Sequence, residues 1–449
     1  MLSTRNIVHT WWPLAASWIL MGLEGPILSA VIARLAFPEI NLAAWGGIVN
    51  PLSLIIESPI IMLLAASTAL SKDWASFQKI YKFMMIAGAA LTALHIIVAF
   101  TPLYDLVVSG LLGVPAEIVE PGRIGFQIML PWTWAIAYRR FHQGVLIRFN
   151  HSGVVGRGTL VRLGSLVLVL GIGYGLKISP GIIAGSAAVA VAVTSESLYI
   201  GRVTRPILNN ELRLAPPVPT ALTWKIFFAF YMPLVLTSLI TLIVNPITSA
   251  AISRMNLAIE SLAAWPVVIG LVFIFRSLGV AFNEVMVALL DEQGSYHSLR
   301  KFAIWLSGLT SLSLLLLAAT PLANLWLQRI SALSAPLANM AQLALYLAIP
   351  LPALTVSQSY FQGTILHSKQ TRGITESVVV YLLVSALFLA IGADWNQTAG
   401  LYIGVLAMDI SMLAQTGWLW WRSRDWRAHL IQRDAQFQMV TTGIPENAG

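Results

Sequence analysis

Six ionisable side chains lie inside long apolar stretches of this 449-residue chain. Charge in the core of a membrane is costly, so such side chains typically bind an ion or substrate, or pair with an opposite charge. Carboxylates and imidazole offer proton or cation binding, and guanidinium offers anion binding. The six candidates are Glu24, Glu57, His95, Arg276, Glu284 and Asp409.

Glu24 lies in the sequence Gly22-Leu23-Glu24-Gly25-Pro26, which predicts a helix break that frees backbone carbonyls beside the carboxylate. His95 lies at about the same depth, in a stretch running the same way, about 13 residues from its start at 1.5 Å per residue. The pair predicts an ion-coupling site in which Glu24 titrates and His95 is its partner. The alternatives are a structural pair, or a neutral His95 bonded to a backbone carbonyl.

Glu57 and Arg276 hold nearly equivalent positions in an internal repeat, where Ile56 aligns with Arg276. Opposite charges at matching depth predict a bridge that closes a gate or cleft between two halves. Three alternatives stay open. Glu57 pairs within its own half, Arg276 extends toward the cytoplasm, or Arg276 binds an anionic substrate, because guanidinium matches carboxylate and phosphate.

The remaining acidic residues divide by their position along the apolar stretches. Asp409 lies in the middle of the last stretch, and it is a candidate cation site in the second half or a hydrogen-bonding partner of a neighbouring helix. Glu284 is predicted to be exposed at the cytoplasmic mouth. Glu196 and Glu376 lie near the ends of their stretches and are predicted to be solvated.

These residues must be positioned by membrane helices, because 57% of the chain is hydrophobic and only 10% is charged. Soluble domains carry about 25% charged residues. The sequence therefore predicts an all-α integral membrane protein with twelve transmembrane helices. They are expected near 12–34, 42–67, 80–101, 122–146, 158–176, 179–201, 226–250, 260–288, 300–320, 337–366, 373–393 and 397–421.

An internal repeat orders these helices, with matching segments 219 or 220 residues apart. The constant offset predicts two parallel six-helix repeats related by an axis along the membrane normal. The matching pairs are Leu42–Trp45 with Leu262–Trp265, Thr101–Leu103 with Thr320–Leu322, Gln143-Gly144 with Gln362-Gly363, and Pro26, Ser29, Ala30 and Arg34 with Pro246, Ser249, Ala250 and Arg254.

The repeat predicts four regions: an N-terminal lobe at 1–202, a proline-rich cytoplasmic linker at 203–225, a C-terminal lobe at 226–421 and a cytoplasmic tail at 422–449. Most of the 27 Lys and Arg residues fall on one side of the predicted spans. Positive loops stay in the cytoplasm. We therefore expect both termini inside, in the cell (inner) membrane. The basic balance follows this topology and gives no reason to expect nucleic acid.

The fourth and tenth stretches end in similar segments, "FHQGVLIRFNHSGVVGRGT" and "YFQGTILHSKQTRGIT". With the six-plus-six repeat, they resemble the multidrug/oligosaccharidyl-lipid/polysaccharide flippase (MOP) superfamily. Twelve spans resemble its multidrug and toxic compound extrusion (MATE) branch, because its lipid-precursor flippases usually have fourteen. The MATE resemblance implies that an acidic residue of the N-terminal half, here Glu24, couples transport to an ion. Trp12-Pro13-Leu14 and His95 resemble the progressive ankylosis branch, which is associated with export of pyrophosphate, nucleotide and organic acids.

The chain has no phosphate-binding loop, because Gly153, Gly156 and Gly158 are not followed by Lys-Ser/Thr. It has no cysteine, and its histidines lack metal-ligand spacing. We therefore expect no enzyme activity, cofactor, metal or obligate protein partner, and a proton or sodium gradient as the energy source. The leading prediction is a secondary-active exporter of small organic solutes that works by rocking of two lobes. An ankylosis-type exporter of small anions and a lipid-linked precursor flippase are the alternatives, although a flippase would need a more basic cavity than one intramembrane Arg276 provides.

Overall fold

The structure is a computed structural model that describes residues 4–292, 294–368 and 372–442. In these ranges the chain is almost entirely helical, with one isolated bridge between Asn256 and Ala399 in place of any sheet. Ten of the described helices are long and apolar enough to cross a membrane. The chain is therefore an all-α integral membrane protein.

The first half of the chain, defined as residues 4–212, contains eleven α-helices and three π-helical segments. In chain order they are α1 (Thr4–Gly22), α2 (Glu24–Ile32), α3 (Pro38–Ala44), π1 (Trp45–Val49), α4 (Asn50–Ile61), α5 (Leu63–Leu70), α6 (Trp74–Phe100), α7 (Leu103–Asp105), π2 (Leu106–Leu112), α8 (Ala116–Ile128), α9 (Leu130–Arg148), α10 (Ser152–Gly175), α11 (Gly181–Ile207) and π3 (Leu208–Leu212).

The second half, defined as residues 224–442, follows the same order of long and short elements. They are α12 (Trp224–Leu242), α13 (Val244–Ile252), α14 (Ala258–Leu289), α15 (Ser295–Ala319), α16 (Leu322–Asn324), π4 (Leu325–Ile330), α17 (Ala335–Leu347), α18 (Pro350–His367), α19 (Arg372–Trp395), α20 (Gly400–Arg422) and α21 (Arg424–Thr442).

Helix starts recur at the offset found in the sequence. Helices α16, α17 and α20 each begin 219 residues after α7, α8 and α11, respectively. The sequence predicts two spans beyond the ten, and they correspond to α8–α9 and α20. Helix α9 falls outside the apolar set and carries Arg139, Arg140 and Arg148.

The first span is broken where the sequence predicts it, because α1 ends at Gly22 and α2 begins at Glu24. Pro26 has no backbone N–H, so it cannot bond to the carbonyl of Gly22 in the preceding turn. The break places the Glu24 carboxylate at the first residue of α2. In the second half, α12 and α13 are separated in the same way at Ile243.

The two halves meet along their repeated Leu-Ala-Ala-Trp segments, which lie in α3–π1 and α14 and are buried except for the partly buried Trp265. Gly46 allows the closest approach, because a Cβ atom there would stand 2.8 Å from the carbonyl oxygen of Leu262. A side chain at this position would therefore push the halves apart.

The first helix of each half also packs against the other half. In α1, the Trp11 indole donates to the Leu278 carbonyl at 2.9 Å and its ring packs 5.6 Å from that of Phe302. In α12, the Tyr231 ring packs 5.2 Å from Phe83, and its hydroxyl donates to the carbonyl of Pro59. Aromatic contacts across the halves therefore occur in both directions.

At the predicted outer ends of the first spans, two repeat-equivalent arginines cross between the halves. Arg34 donates to the carbonyl of Ile330 at 2.7 Å and to that of Arg329, at the end of π4. Arg254 donates to the carbonyls of Leu112 at 2.9 Å and Leu111 at 2.7 Å, at the end of π2. Carbonyls at a helix end lack intrahelical partners, so a guanidinium satisfies them well. We call these contacts the paired arginine contact.

Asp73 joins the linker to the start of α6. Its carboxylate accepts from the Ser76 amide at 2.9 Å, as an N-cap, and from the Val218 amide at 3.1 Å. Burial by itself would raise the pKa of Asp73, but these hydrogen bonds, with one from the Ser76 hydroxyl, lower the pKa below its usual value.

Candidate functional site

The largest concentration of buried charge lies inside the first half, around a cavity of about 90 Å³. Helices α2, α9, α10 and α11 all contribute charged side chains to its walls. Three arginines and two glutamates face the cavity, and Gln143 and Thr159 are its uncharged polar lining residues. The charged residues are Glu24, Arg139, Arg140, Arg162 and Glu196.

Two ion pairs organise the cluster. Arg162 donates to the Glu24 carboxylate at 2.6 Å, and Arg139 donates to the Glu196 carboxylate at 2.6 Å. The second pair is the more buried, with side chains only 6% and 1% exposed. Gln143, one helical turn from Arg139, donates to the other oxygen of Glu196 at 3.0 Å.

The prediction that Glu196 is a solvated charge at a helix end is wrong. Helix α11 continues to Ile207, so Glu196 stands well inside it and faces α9. Arg139 and Arg140 lie inside the predicted span at 122–146, and α9 continues past both of them to Arg148.

Close helix packing brings these side chains together. A Cβ atom at Gly144 would stand 2.5 Å from the carbonyl oxygen of Leu64, so only glycine lets α9 approach α5 this closely. Arg140 and Gln143 flank this contact on α9. The Gln-Gly pair that marks the resemblance therefore has a local packing function.

Arg140 differs from its neighbours, because it forms no hydrogen bond or ion pair with any described residue. Its main electrostatic attraction is to Glu57, which is 3% exposed and likewise unpaired among the described residues. Buried polar atoms normally have partners, so each exception needs an explanation. Five orphaned atoms gather here: Glu57 Oε2, Arg139 Nε, Arg140 Nε, Gln143 Oε1 and Arg162 Nε.

His95 lies elsewhere than the predicted ion-coupling pair requires. It is fully buried between α6, α8 and α9, with Nδ1 2.8 Å from the Thr133 hydroxyl and Nε2 2.9 Å from the Phe126 carbonyl oxygen. Glu24 is instead paired with Arg162. The structure thus does not bring Glu24 and His95 together, and the backbone-bonded alternative describes the observed contacts of His95.

Arg276 and Glu57 are not brought together either. Arg276 donates from Nε to the Thr355 hydroxyl at 2.9 Å, and its electrostatic partners are Tyr381 and Asp409. Asp409, 9% exposed, therefore faces a cation of its own half. In this conformation the acidic neighbour of Arg276 is Asp409, and the cationic neighbours of Glu57 are the three arginines of the cluster.

The repeat gives a neutral version of the buried pair in the second half. Gln358 and Gln415 stand 219 residues after Arg139 and Glu196, and Gln358 donates to Gln415 at 3.0 Å. The same contact is therefore ionic in the first half and uncharged in the second. The sequence signal that could have identified Arg139 and Glu196 is that the equivalent positions of the second repeat carry glutamine instead of a charged residue.

The other acidic residues lie at helix surfaces. Glu284 is exposed, as predicted, and accepts from the Trp18 indole at 3.2 Å. Glu376 is partly exposed and pairs with Arg372 at 3.0 Å and Arg422 at 2.9 Å. Across the described ranges, no group of three His, Cys, Asp or Glu side chains is placed to hold a metal ion.

A second cavity of about 450 Å³ lies between α15, α18, α20 and α21. Arg300 and Arg427 line it together with Tyr360 and the exposed ring of Trp420.

No family model and no curated protein matches this chain. Several solved protein structures do match this chain. An inward-facing MATE family transporter of the MOP superfamily matches with a TM-score of 0.71 at 13% identity, covering 91% of this chain and 96% of that one. The lipid II flippase MurJ, in an inward closed conformation, matches with a TM-score of 0.58 at 12% identity, covering 95% and 94%.

A third structure is a MOP superfamily transporter from Pyrococcus furiosus, described as having a binding pocket of reverse polarity. It matches with a TM-score of 0.56 at 14% identity, covering 95% of this chain and all of that one. At these identities the matches show a shared fold over nearly the whole chain. The superfamily resemblance drawn from the sequence is confirmed at that level.

Proposed function

We propose that this chain, which has the fold of MOP superfamily transporters, is a secondary-active transporter of a small organic solute that carries an anionic group. Arg140 carries this proposal. It is a guanidinium at a cavity wall that forms no hydrogen bond or ion pair with any described residue, whereas Arg139 and Arg162 beside it are each neutralised by a glutamate.

The charge of the cavity wall supports an anion. Three arginines against two glutamates leave one positive charge facing the cavity, and the third carboxylate, Glu57, lies behind the wall. Guanidinium presents a planar set of donors that matches carboxylate, sulfonate or phosphate groups. An anionic group placed here would balance the charge of Arg140.

The architecture that we propose around this site has twelve spans in two parallel six-helix repeats. The lobes are 1–202 and 226–421, with both termini cytoplasmic in the cell (inner) membrane. The recurring helix starts support this arrangement. The lobes rock about their interface, and the paired arginine contact closes the outer side. A proton or sodium ion supplies the energy through Glu24.

A lipid-linked precursor flippase is the second candidate. The sequence indicated a single intramembrane arginine, whereas the cavity has three arginines in its wall, and this basic charge favours a flippase. The cavity argues for the smaller solute. At about 90 Å³ it holds one anionic group, whereas pockets for drug-sized ligands measure about 300–1,000 Å³. A glycolipid headgroup would need a much wider opening of the halves.

The decisive experiment is a substrate screen in inverted membrane vesicles, with an imposed pH or sodium gradient. Organic anions, cations and neutral solutes are compared, and the sign of the flux tests the export direction predicted from the sequence. Arg140→Gln should weaken anion transport about 10-fold to 100-fold, because a charge-assisted hydrogen bond contributes about 1.5–3 kcal/mol.

Arg123→Gln is the matched control, because Arg123 pairs with Asp105 outside the cavity at 2.5 Å. It should leave transport unchanged. Wild-type vesicles that carry only cations, or Arg140→Gln vesicles with unaltered anion transport, would contradict the proposal.

A further inference from the structure

The two ion pairs of the cavity differ in how accessible they are. The side chains of Glu24 and Arg162 are 18% and 19% exposed, whereas those of Glu196 and Arg139 are almost completely buried. A proton or a small anion can therefore reach the first pair without dismantling the second. We propose that Glu24 and Arg162 form an exchange site, in which a proton on Glu24 and an anion on Arg162 bind together. This inference rests on the proposed function and names the coupling within the same cavity.

The contact geometry gives the physical reason. Both oxygens of Glu24 lie near the same guanidinium nitrogen of Arg162, at 2.6 and 2.8 Å. Protonating Glu24 removes the negative charge and leaves a largely buried cation uncompensated, which is costly. An anion on Arg162 restores the balance. Conversely, an anion that displaces Glu24 leaves a carboxylate without its cation, and this carboxylate then takes up a proton.

The coupling is reciprocal by thermodynamic necessity, so the proton strengthens anion binding by the same factor as the anion strengthens proton binding. The backbone suits such an exchange. Glu24 begins α2 directly after the break at Leu23, and Gly25 follows it, so the carboxylate lies at the helix break of the first span. The Nε atom of Arg162 is buried and has no hydrogen-bond partner among the described residues.

Two of the other charged groups near Glu24 have partners of their own. On α11, Glu196 is held by Arg139. On α14, Arg276 is turned to Thr355 and to Asp409. The charged groups that face the pair across the cavity or behind it are Arg139 and Arg140 on α9, Glu196 on α11 and Glu57 on α4, while Glu39 on α3 accepts a hydrogen bond from Ser334.

The sign of the coupling has a direct consequence for transport. An anion that binds together with a proton moves in the same direction as the proton. A cation at Glu24 would compete with the proton, and it would move in the opposite direction. Export against proton entry, the direction predicted from the sequence, therefore requires a cationic substrate at this site, whereas proton entry drives an anion inward.

The test measures protons during binding. Sulfate is a suitable probe, because it stays a dianion and any proton taken up belongs to the protein. Titration calorimetry of the purified full-length chain in sodium-free buffers of different ionisation enthalpy gives the number of protons exchanged. We expect uptake of up to one proton, and sulfate affinity that falls by at most about tenfold per pH unit as the solution becomes more alkaline.

Three variants locate the proton. Glu24→Gln mimics the protonated carboxyl, so it should bind sulfate more tightly at alkaline pH and without proton uptake. Arg162→Gln should bind sulfate weakly at every pH. Glu376→Gln removes the carboxylate of an arginine pair outside the cavity and should behave like the wild type.

The outcomes separate this inference from the function on which it rests. Sulfate that binds with proton release, with no proton exchange, or with uptake that survives in Glu24→Gln overturns the exchange site and leaves an anion transporter. Proton uptake that is lost in Glu196→Gln but kept in Glu24→Gln would assign the coupling to the Arg139–Glu196 pair. That result also overturns the exchange site at Glu24 and Arg162. Failure of sulfate to bind either the wild type or Glu24→Gln overturns the anion site itself.

Discussion

Removing the paired arginine contact should open the predicted outer side of the protein. Arg34 and Arg254 each donate two hydrogen bonds to carbonyl oxygens of the opposite half. Both side chains are exposed, so each bond should contribute about 0.5–1 kcal/mol net. One arginine then stabilises the closed state by about 1–2 kcal/mol and both together by about 2–4 kcal/mol.

These energies predict measurable populations. At about 1.4 kcal/mol per factor of ten, Arg34→Gln should raise the ratio of outer-open to outer-closed molecules about 5-fold to 30-fold. The double variant with Arg254→Gln should raise it about 30-fold to 700-fold. Both arginines also bond to carbonyls of their own helices, at Ala30 and Ala250, and these local bonds do not oppose opening.

The chain contains no cysteine, which makes the measurement direct. Spin labels on cysteines introduced at Ser109 and Gln328, exposed repeat-equivalent positions of π2 and π4, report the distance between the halves. Arg123→Gln is again the control, because its partner Asp105 belongs to the same half. Equal distance distributions in the wild type and the double variant would refute the reasoning.

Three further predictions concern stability, each measured by thermal unfolding in detergent. Lowering the pH should destabilise the protein as it passes the lowered pKa of Asp73, because this carboxylate stabilises the fold only while ionised, and Asp73→Asn should remove that pH dependence. Gly144→Ala should cost about 1–3 kcal/mol through overpacking against α5, whereas Gly153→Ala, with open space around it, should not. Arg276→Gln and Asp409→Asn should combine less than additively, and strict additivity would show that the two charges do not interact.

Local signals in the sequence predicted the backbone well. The break before Glu24 follows from Gly25-Pro26, because proline removes a helix hydrogen bond whatever its surroundings. The repeat offset anticipated helix starts in the second half, because equivalent segments carry equivalent breakers. The partners of the ionisable residues were not predictable in this way. Depth along a span says nothing about the helix face, and one residue rotates a side chain by about 100°.

His95 and Arg139 show the two kinds of error. His95 shares a predicted depth with Glu24, but it faces Thr133 and the Phe126 carbonyl on neighbouring helices. Arg139 is absent from the six intramembrane candidates, although it lies inside the predicted span at 122–146. A cavity that combines Arg139 with Glu196 makes the charge tolerable, and such a combination appears only once the helices are packed.

The paired arginine contact has the form of an isologous interface, in which one patch meets a second copy of itself. In a half-length homodimer, a single arginine would form both contacts, and a single substitution would weaken the closure twice. Joining the two copies in one chain frees each position to vary separately. In this chain the arginine is present in both copies, while the buried pair is Arg139–Glu196 in one and Gln358–Gln415 in the other. The contact between the halves is thus two-fold in this chain, whereas the charged cavity is one-sided.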